Sequence, residues 1–539
     1  MSRSPQVLLQ GQPLPVASLF QPPLLASPSA GVEPAMAFVF RGFAPRHRGR
    51  RGLGFHQPKR GRPMGSEVGK PITAKLAPHR RYVRVATDPE ARGILGSILE
   101  RGLYDGEPPT CRRRLLPFAR TMLHLVLLLA VFKRFQVEGR AFQELVQLAA
   151  LALPLHYLAP FRWKKPLFVA TSIAGLLWVF GPEVGGIVLG AGTALVGICY
   201  LPIPWGARVS ILGATAAVLA VLRGHALLTG SLSPVWPVLA SMMMFRMMIY
   251  LYELKHSSKQ EPVLDTANYF LLLPNFCFMH FPVVDYRTLQ RAHFSADVHA
   301  IQWRGLQMML RGTIHLLCYR VIDQEFLLPA SEVHGPWALA GFLVWNYLLY
   351  LQVSGQFHVA CGLLHLFGYQ LPETHHHYLL ATGFTDYWRR INIYWKDFMV
   401  RLVFNPVVFR LKRWSQPAAL AVATMAVFVT TWVLHAYQKY WLCGTWGFSV
   451  PDALFWGILG VFVMVNVQCD ARRSQSGSRA RRAGAAGMVT KGQMELGPLA
   501  IRALKTVATF VTIAVLWSLW SSPSLAAWLD LLRRGLSWA

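Results

Sequence analysis

Long apolar runs recur from about residue 119 to the C-terminus, and they constrain the fold more than any other feature of the sequence. A helix needs roughly 20 apolar residues to cross a bilayer, and about nine to twelve runs approach that length. Of the 539 residues, 53% are hydrophobic and only 15% are charged, a balance typical of membrane proteins. The sequence therefore predicts an all-α, polytopic integral membrane helical bundle with some re-entrant segments.

The positions of these runs divide the chain into five parts. Residues 1–118 are rich in Pro, Gly, Ala and Arg and lack a sustained period, which is typical of a disordered basic tail. Residues 119–260 hold a first group of membrane helices, and residues 261–470 hold a second group with most of the unusual polar side chains. Residues 471–498 predict a basic aqueous loop, and residues 499–539 add a C-terminal membrane helix.

Each predicted membrane helix corresponds to one apolar run. The runs are 122–132, 145–160, 167–180, 184–202, 209–222, 235–254, 336–351, 418–441, 453–467 and 499–520. Residues 268–276 are apolar but broken by proline, which favours a re-entrant piece over a straight span. Residues 301–325 predict an amphipathic helix, because Arg304, Arg311 and Arg320 are set into apolar sequence.

Charge and cysteine content exclude two other classes of protein. The formal net charge is +29, but the cations lie mainly in the tail and between apolar runs, where they set membrane topology. No RNA-binding aromatic motif accompanies them, so membrane lipids and not nucleic acid are the expected partners. The seven cysteines form no CxxC pair, so we infer neither a disulfide framework nor a zinc site.

The segment 387–398, called here the Trp-rich segment, concentrates polar and aromatic side chains within this apolar chain. It holds three cations, five large aromatics and the amide of Asn392. We interpret 386–402 as one helix with Thr385 as N-cap. Helical spacing then places on one face Trp388, Asn392, Trp395, Met399 and Leu402. The opposite side carries Arg389, Arg390, Lys396, Asp397 and Arg401, with an ion pair expected between Asp397 and Arg401.

Two hypotheses account for the Trp-rich segment. One is an interfacial helix whose aromatic rings and arginines lie at the depth of the lipid headgroups. The other is one wall of a site that admits an acyl chain. His435 favours the second, since an ionisable residue within an apolar span is costly and is a functional candidate. A histidine that packs by hydrogen bonding to a neighbouring helix is the alternative.

The pattern of the Trp-rich segment resembles the membrane-bound O-acyltransferase family, which includes bacterial teichoic-acid D-alanylation and alginate acetylation proteins and eukaryotic lipid acyltransferases. The matching residues are Trp388, Arg389, Arg390, Asn392, Trp395, Asp397, Phe398, Arg401, Asn405, Pro406 and His435. The resemblance is best over residues 262–470. Ile391 stands where the family often has Trp, and Trp432 lies three residues before the histidine instead of next to it.

The resemblance implies a function and roles for individual residues. His435 would be the active-site residue and Asn392 its partner, with Trp388, Trp395, Arg389 and Arg390 binding substrate. The donor would be a thioester of coenzyme A or acyl-carrier protein, and the acceptor a hydroxyl of a lipid or cell-envelope glycan, with an envelope-modification partner and residence in a bacterial inner membrane. No metal and no tightly bound cofactor are expected.

The chemistry of acyl transfer suits these residue types. A neutral imidazole, with an ordinary pKa near about 6.5, can take the acceptor's hydroxyl proton. The amide of Asn392 could stabilise the developing oxyanion or orient the acceptor. We expect direct transfer, because the sequence has no Gly-x-Ser-x-Gly elbow and no cysteine–histidine pairing that would predict a covalent intermediate.

Two alternatives remain open from the sequence. Glu373 and the run 375–377 of three histidines, with His358 and His365 upstream, suggest a metalloenzyme, but HxxxH and HxxHH spacings are absent. The histidine run is better explained by a helix cap or a cavity mouth. The other alternative is a transporter or scaffold in which His435, Arg304 and Arg311 line a path.

Overall fold

The structure, a computed structural model, describes residues 107–225, 235–239, 244–257, 261–273, 283–411, 413–482 and 496–537. Within these ranges the regular structure is helical, apart from an isolated bridge between His293 and Tyr369. Most of the predicted tail, up to residue 106, lies outside the described residues. Its last part does not: helix α1 already begins at Leu115, so the first membrane helix starts before the predicted boundary at 118.

The main helices between Leu115 and Leu366 precede the Trp-rich segment. They are α1 (Leu115–Phe135), α2 (Arg140–Leu158), α3 (Phe161–Ile198), α4 (Trp205–Gly224), α5 (Met244–Lys255), α6 (Val263–Phe270), α7 (Tyr286–Ala292), α8 (Val298–Val321), α9 (Gly335–Leu348) and α10 (Leu351–Leu366). The remaining helices are α11 (Phe384–Ile391), α12 (Ile393–Met399), α13 (Asn405–Arg410), α14 (Gln416–Cys443), α15 (Val450–Arg482), α16 (Leu496–Ser521) and α17 (Leu525–Leu536).

Seven helices among the described residues are long and apolar enough to cross a membrane, which confirms an all-α, polytopic membrane fold. They cover Leu115–Phe135, Phe161–Ile198, Trp205–Gly224, Gly335–Leu366, Gln416–Cys443, Val450–Arg473 and Leu499–Ser521. The runs predicted at 167–180 and 184–202 belong to one bent helix, α3. Its kink is at Gly181, whose φ of 77° lies outside the helical region and precedes Pro182.

Two other predictions of segment boundaries need correction. Of the run 235–254, the structure describes helix at Val235–Pro237 and at α5, and residues 240–243 between them lie outside the described residues. The start of the predicted aqueous loop, 471–482, continues helix α15, whereas 483–495 lies outside the described residues. Two helices, α16 and α17, follow that stretch instead of one. The part of the predicted re-entrant piece at 274–282 also lies outside the described residues.

Helices α8 and α10 approach each other unusually closely. A Cβ atom on Gly312 would lie 2.7 Å from the carbonyl oxygen of Gly355, and one on Gly305 would lie 2.7 Å from that of Gly362. The absence of side chains at these positions therefore allows the two backbones to touch. On the other side of α8, Arg304 and Arg311 are exposed, which confirms the predicted amphipathic helix.

The buried apolar side chains fall into two main clusters. One joins α1, α2 and α3 to α8 and α10. The other joins the Trp-rich segment to α14, α15 and α16, with Phe428, Phe455 and Trp456 among its buried rings. Because Trp388, Trp395 and Trp432 pack against this second cluster, the candidate functional residues belong to the C-terminal half of the bundle.

Candidate functional site

The Trp-rich segment breaks at Asn392 and does not form one helix. Asn392 has φ −153° and ψ 91°, and its side-chain oxygen accepts a hydrogen bond of 3.1 Å from the backbone N–H of Trp395. It is thus the N-cap of α12, a position that asparagine favours. Helix α11 begins at Phe384, so Thr385 is not its N-cap as predicted.

The segment that contains the histidine run supplies partners for the backbone on both sides of this break. The N–H of His376 donates to the carbonyl of Arg390 at 3.0 Å, and the N–H of Ile393 donates to the carbonyl of Thr374 at 2.9 Å. These bonds replace intrahelical bonds that the break removes. One part of the histidine run therefore caps the end of α11.

A buried tyrosine–histidine pair completes the support of the break. The hydroxyl of Tyr350 donates to the carbonyl of Ile391 at 3.2 Å and lies 3.1 Å from Nε2 of His375. Since the hydroxyl proton is used on Ile391, Nε2 of His375 must be the donor of the second bond. Nδ1 of His375 then accepts from Thr374 Oγ1 at 3.0 Å. Burial, with His358 and His315 nearby, lowers the pKa of His375 well below its ordinary value, so this histidine is neutral.

His435 is partly buried on α14 within a group of tryptophans. Its ring centroid lies 4.7 Å from that of Trp456, 5.4 Å from that of Trp395 and 6.4 Å from that of Trp520. Nδ1 lies 2.8 Å from the carbonyl oxygen of Thr431. A carbonyl can only accept, so Nδ1 carries the proton, and in the neutral ring Nε2 carries the lone pair.

Trp395 connects the two residues to which the resemblance gives catalytic roles. Its backbone N–H is capped by Asn392, and its ring contacts the ring of His435. Its indole N–H also donates to Thr431 Oγ1 at 3.3 Å, one turn before His435 on α14. The structure therefore places Asn392 and His435 on two sides of one tryptophan.

Asp452 is a polar residue of this region that the sequence interpretation missed. It lies in the first turn of α15 with 8% of its surface exposed, and Oδ1 accepts from the indole N–H of Trp520 at 2.6 Å. The indoles of Trp432 and Trp456 interact with the same carboxylate. The signal was available, since a carboxylate at the start of the apolar run 453–467 is costly unless it has partners. We define the His435 site as His435, Asp452, Trp395, Trp432, Trp456 and Trp520.

The other three predicted substrate-binding residues lie on α11, before the break at Asn392. Trp388 packs on Phe428 with ring centroids 4.7 Å apart. Arg390 bonds to Asp386 at 2.7 Å, one helical turn away, and Arg389 is exposed. Of the four predicted binding residues, it is Trp395 that contacts the ring of His435.

The expected ion pair between Asp397 and Arg401 is replaced by two others. Asp397 pairs with its neighbour Lys396 at 2.7 Å. Arg401 instead bonds to Glu253 on α5 at 2.8 Å and lies 3.7 Å from Asp285. Helix α12 passes into a π-helical turn at 400–404, which changes the spacing on which the predicted i,i+4 pair depended.

A cavity of about 390 Å³ lies beside these charges. Its volume is within the roughly 300–1,000 Å³ of small-molecule sites. It is lined by Ile249, Val283, Asp285, Thr288, Pro372, Ile393, Tyr394, Asp397, Phe398, Val400, Arg401, Leu402 and Asn405. Burial and the nearby Asp285 carboxylate raise the pKa of Glu253 to about 7, against the lowering effect of Arg401. The carboxyl of Glu253, which pairs with the lining residue Arg401, is thus poised between its charged and neutral forms.

The remaining buried histidines engage protein groups. We define the buried histidine cluster as His315, His358 and His375, with adjacent ring centroids 5.3 and 5.6 Å apart. Nδ1 of His315 bonds to Ser354 Oγ at 2.9 Å, and Nδ1 of His358 bonds to the Ser354 carbonyl at 2.6 Å. In the described ranges, no group of three or more His, Cys, Asp or Glu side chains is arranged to hold a metal ion.

Comparison with known proteins adds no assignment. No model of a protein family matches the chain, and no curated protein matches it. The resemblance to the membrane-bound O-acyltransferases thus stays a prediction that depends on the residues quoted for it.

Proposed function

We propose that this protein is a membrane-embedded O-acyltransferase, similar to the membrane-bound O-acyltransferase family, that moves an acyl group from a thioester to a hydroxyl. One observation carries the proposal. His435 is held within an apolar bundle by the carbonyl of Thr431 and by tryptophan rings, in the tautomer whose Nε2 has the lone pair. An imidazole in that state can act as a general base at physiological pH.

This tautomer of His435 allows acyl transfer by general-base catalysis, in the following steps. Nε2 of His435 takes the proton of the acceptor hydroxyl while its oxygen attacks the carbonyl carbon of the thioester. The new C–O bond gives a tetrahedral oxyanion, the C–S bond then breaks, and the leaving thiolate takes the proton from the imidazolium. No covalent acyl-enzyme is needed, and the imidazole returns to its neutral form.

Asn392 supports the transition state through its amide nitrogen. Its side-chain oxygen is occupied by the Trp395 N–H, so the NH₂ group is the part of the amide that donates to the developing oxyanion. The fixed cap holds the amide orientation, and a preorganised donor is more effective than one that must reorient. The indole rings of Trp388 and Trp395 provide apolar surface for an acyl chain, with Arg389 and Arg390 at the aqueous edge for the polar part of the donor.

The proposal also includes the acyl donor, the acceptor and the membrane in which the protein acts. A thioester of coenzyme A or acyl-carrier protein supplies the acyl group, the acceptor is a lipid or cell-envelope glycan, and no tightly bound cofactor takes part. The protein acts in a bacterial inner membrane, with membrane lipids and an envelope-modification partner around it. The seven apolar helices support a membrane location.

A matched pair of histidines tests the proposal. His124 on α1 makes the same bond one helical turn back, from Nδ1 to the carbonyl of Arg120 at 2.7 Å, but its ring contacts Trp303. We expect His435→Ala to lower transfer from radiolabelled acyl-CoA by roughly a hundredfold or more and His124→Ala to leave it near the wild-type rate. Membrane insertion is measured separately, as resistance of the protein in the membrane fraction to alkaline carbonate extraction. An inserted, active His435→Ala variant would refute the assignment.

A further inference from the structure

The cavity beside Arg401 is bounded by α5, the first turn of α7, α12 and the π-helical turn at 400–404. Its volume of about 390 Å³ is far larger than the roughly 30 Å³ that one water molecule takes up in the liquid. The described lining residues include none of the six residues of the His435 site. The cavity is therefore a second candidate site, with room for an organic molecule.

The charged residues that line the cavity have an excess of negative charge. Asp285 and Asp397 are carboxylates, and Arg401 is the one cation among the described lining residues. The charge of Arg401 is already engaged, since Nη1 lies 2.8 Å from Glu253 and 3.7 Å from Asp285. Glu253 is 7% exposed, so water screens this pairing little. An anion would meet three carboxylates and a cation that already has partners, whereas a cation would be attracted.

The two lining carboxylates differ in how firmly they are held. Oδ1 of Asp285 accepts from the N–H of Thr288 at 2.8 Å, and Oδ2 accepts from Thr288 Oγ1 at 2.6 Å. Each carboxylate oxygen keeps a lone pair for a further donor. Asp397 has a side chain that is 65% exposed and pairs with Lys396 at 2.7 Å. Asp285 is therefore the fixed anion of the cavity, and Asp397 is a weaker, solvated one.

The rest of the lining is mostly apolar, which favours an organic ligand. The apolar lining residues are Ile249, Val283, Pro372, Ile393, Phe398, Val400 and Leu402. The rings of Tyr394 and Phe398 are also part of the lining, and aromatic rings attract a desolvated ammonium group. In the described ranges, no three His, Cys, Asp or Glu side chains are arranged to hold a metal ion. The lining thus suits a cation that has an apolar part.

We propose that this cavity binds a small organic cation, an ammonium group on a short apolar chain, with Asp285 as its main contact. The ammonium donates to the Asp285 carboxylate, and the chain lies against the apolar lining. Asp397 adds a longer-range attraction. The site does not depend on acyl transfer at His435, so the inference goes beyond the proposed function.

Three molecules with the same hexyl chain and different charges test the proposal. The full-length protein in an uncharged maltoside detergent is given radiolabelled hexylamine at about pH 8, where an alkylamine is protonated like a lysine side chain. Unlabelled hexylamine, 1-hexanol and hexanoate then compete for the bound label. We expect hexylamine to compete at a concentration at least about tenfold lower than the other two. No saturable binding, or equal competition by hexanol or hexanoate, would overturn the proposal.

A matched pair of capping aspartates locates the site. Asp285→Asn removes the charge but keeps an oxygen that can cap α7, and we expect it to weaken hexylamine binding by about tenfold. Asp297 also caps a helix, since it accepts from the N–H of Ala300 at 3.2 Å, and it lies 3.8 Å from Arg114. It does not line the cavity, so Asp297→Asn should bind hexylamine like wild type. Equal binding in the two variants would overturn the site.

Two further variants keep the test decisive if Asp285→Asn does not fold. Asp397→Asn changes an exposed side chain and should weaken hexylamine binding by about threefold. Glu253→Gln removes the negative charge that engages Arg401. Hexylamine should then bind more weakly and hexanoate more tightly. Wild-type affinities in both variants would contradict the proposed role of the carboxylates.

An ammonium group could come from a water-soluble amine or from a lipid headgroup. Phosphatidylethanolamine has this group and phosphatidylglycerol does not. Displacement of hexylamine by the first lipid alone would identify a headgroup as the source, whereas displacement by neither would identify a soluble amine. His435→Ala should bind hexylamine like wild type, so failure of the proposed function and failure of this site are distinguishable.

Discussion

His435 and His358, a member of the buried histidine cluster, make the same local hydrogen bond and differ in what surrounds them. In His435 and His358, Nδ1 bonds to the carbonyl four residues earlier on its helix, at 2.8 Å and 2.6 Å. His358 is 1% exposed and stacks on another histidine, His375. His435 is partly exposed and contacts three tryptophans. The difference comes from tertiary contacts, so the role of a membrane histidine cannot be taken from its own helix.

The buried histidine cluster, through His375, holds the backbone next to Asn392 in position. Thr374, His375 and Tyr350 form a connected set of hydrogen bonds that ends at the carbonyl of Ile391, next to Asn392. A neutral His375 suits this task because its ring provides one donor and one acceptor in a fixed direction. The cluster thus holds the break in the Trp-rich segment, and the break sets the direction of the Asn392 amide.

The largest expected effect comes from a substitution at the close contact between α8 and α10. In Gly312→Leu the new side chain would clash with the backbone of α10, since even a Cβ atom would lie 2.7 Å from Gly355 O. We expect a loss of at least about 3 kcal/mol in stability, measured as the melting temperature in detergent. Gly213→Leu on α4, where a Cβ atom meets nothing within 4 Å, is the control. A Gly312→Leu protein as stable as wild type would contradict the close packing.

Substitutions of Asn392 are expected to have the next largest effect, because Asn392 links the buried histidine cluster to the His435 site. Asn392→Asp keeps an oxygen that can cap α12 but removes the NH₂ donor, whereas Asn392→Ala removes both. We expect both variants to lower the transfer rate by roughly a hundredfold. Only Asn392→Ala should also lose about 1 kcal/mol of stability. A fully active Asn392→Asp would remove the amide from the mechanism.

Tyr350→Phe tests whether the buried cluster acts through position. The substitution leaves the Ile391 carbonyl and the Nε2–H of His375 without their partner, which costs about 1–3 kcal/mol. The backbone at Asn392 should then be held less firmly. We therefore expect a moderate loss of acyl-transfer rate, with the pH profile of the rate unchanged. A shifted pH profile would indicate that Tyr350 or His375 takes part in proton transfer.

The smallest effect is expected at Glu253. Its folded-state pKa is raised to about 7 and its unfolded-state pKa is near about 4.3. A raised pKa favours the neutral form in the folded state, so the contribution is full below about pH 4 and is lost as pH rises through 7. Glu253→Gln should therefore gain melting temperature relative to wild type between pH 5 and pH 8. A constant difference over this range would contradict the raised pKa.

The sequence predicted the membrane helices better than the site, for physical reasons. An apolar run identifies a span by length alone, and this was enough to predict α14 and α16. The break at Asn392 depends on partners from Thr374 and Tyr350 that are distant in sequence, so helical spacing alone predicted one continuous helix. The pairing of Arg401 with Glu253 depends on the same kind of contact.

Asp452 shows how a recognisable signal was missed. It precedes the predicted run 453–467 by one residue, and the sequence analysis did not single it out. The structure shows that α15 has already begun at Val450 and that the side chain is buried against Trp520. A charged residue at the edge of an apolar run therefore needs the same attention as one within it.

One measurement tests the central claim most directly, namely transfer rate and melting temperature in His435→Gln and His375→Gln side by side. We predict that His435→Gln lowers transfer by roughly a hundredfold or more with little change in melting temperature. We predict that His375→Gln lowers the melting temperature by several degrees and keeps much more of the transfer rate. The reverse pattern, with His375→Gln inactive but stable and His435→Gln active, would contradict the account.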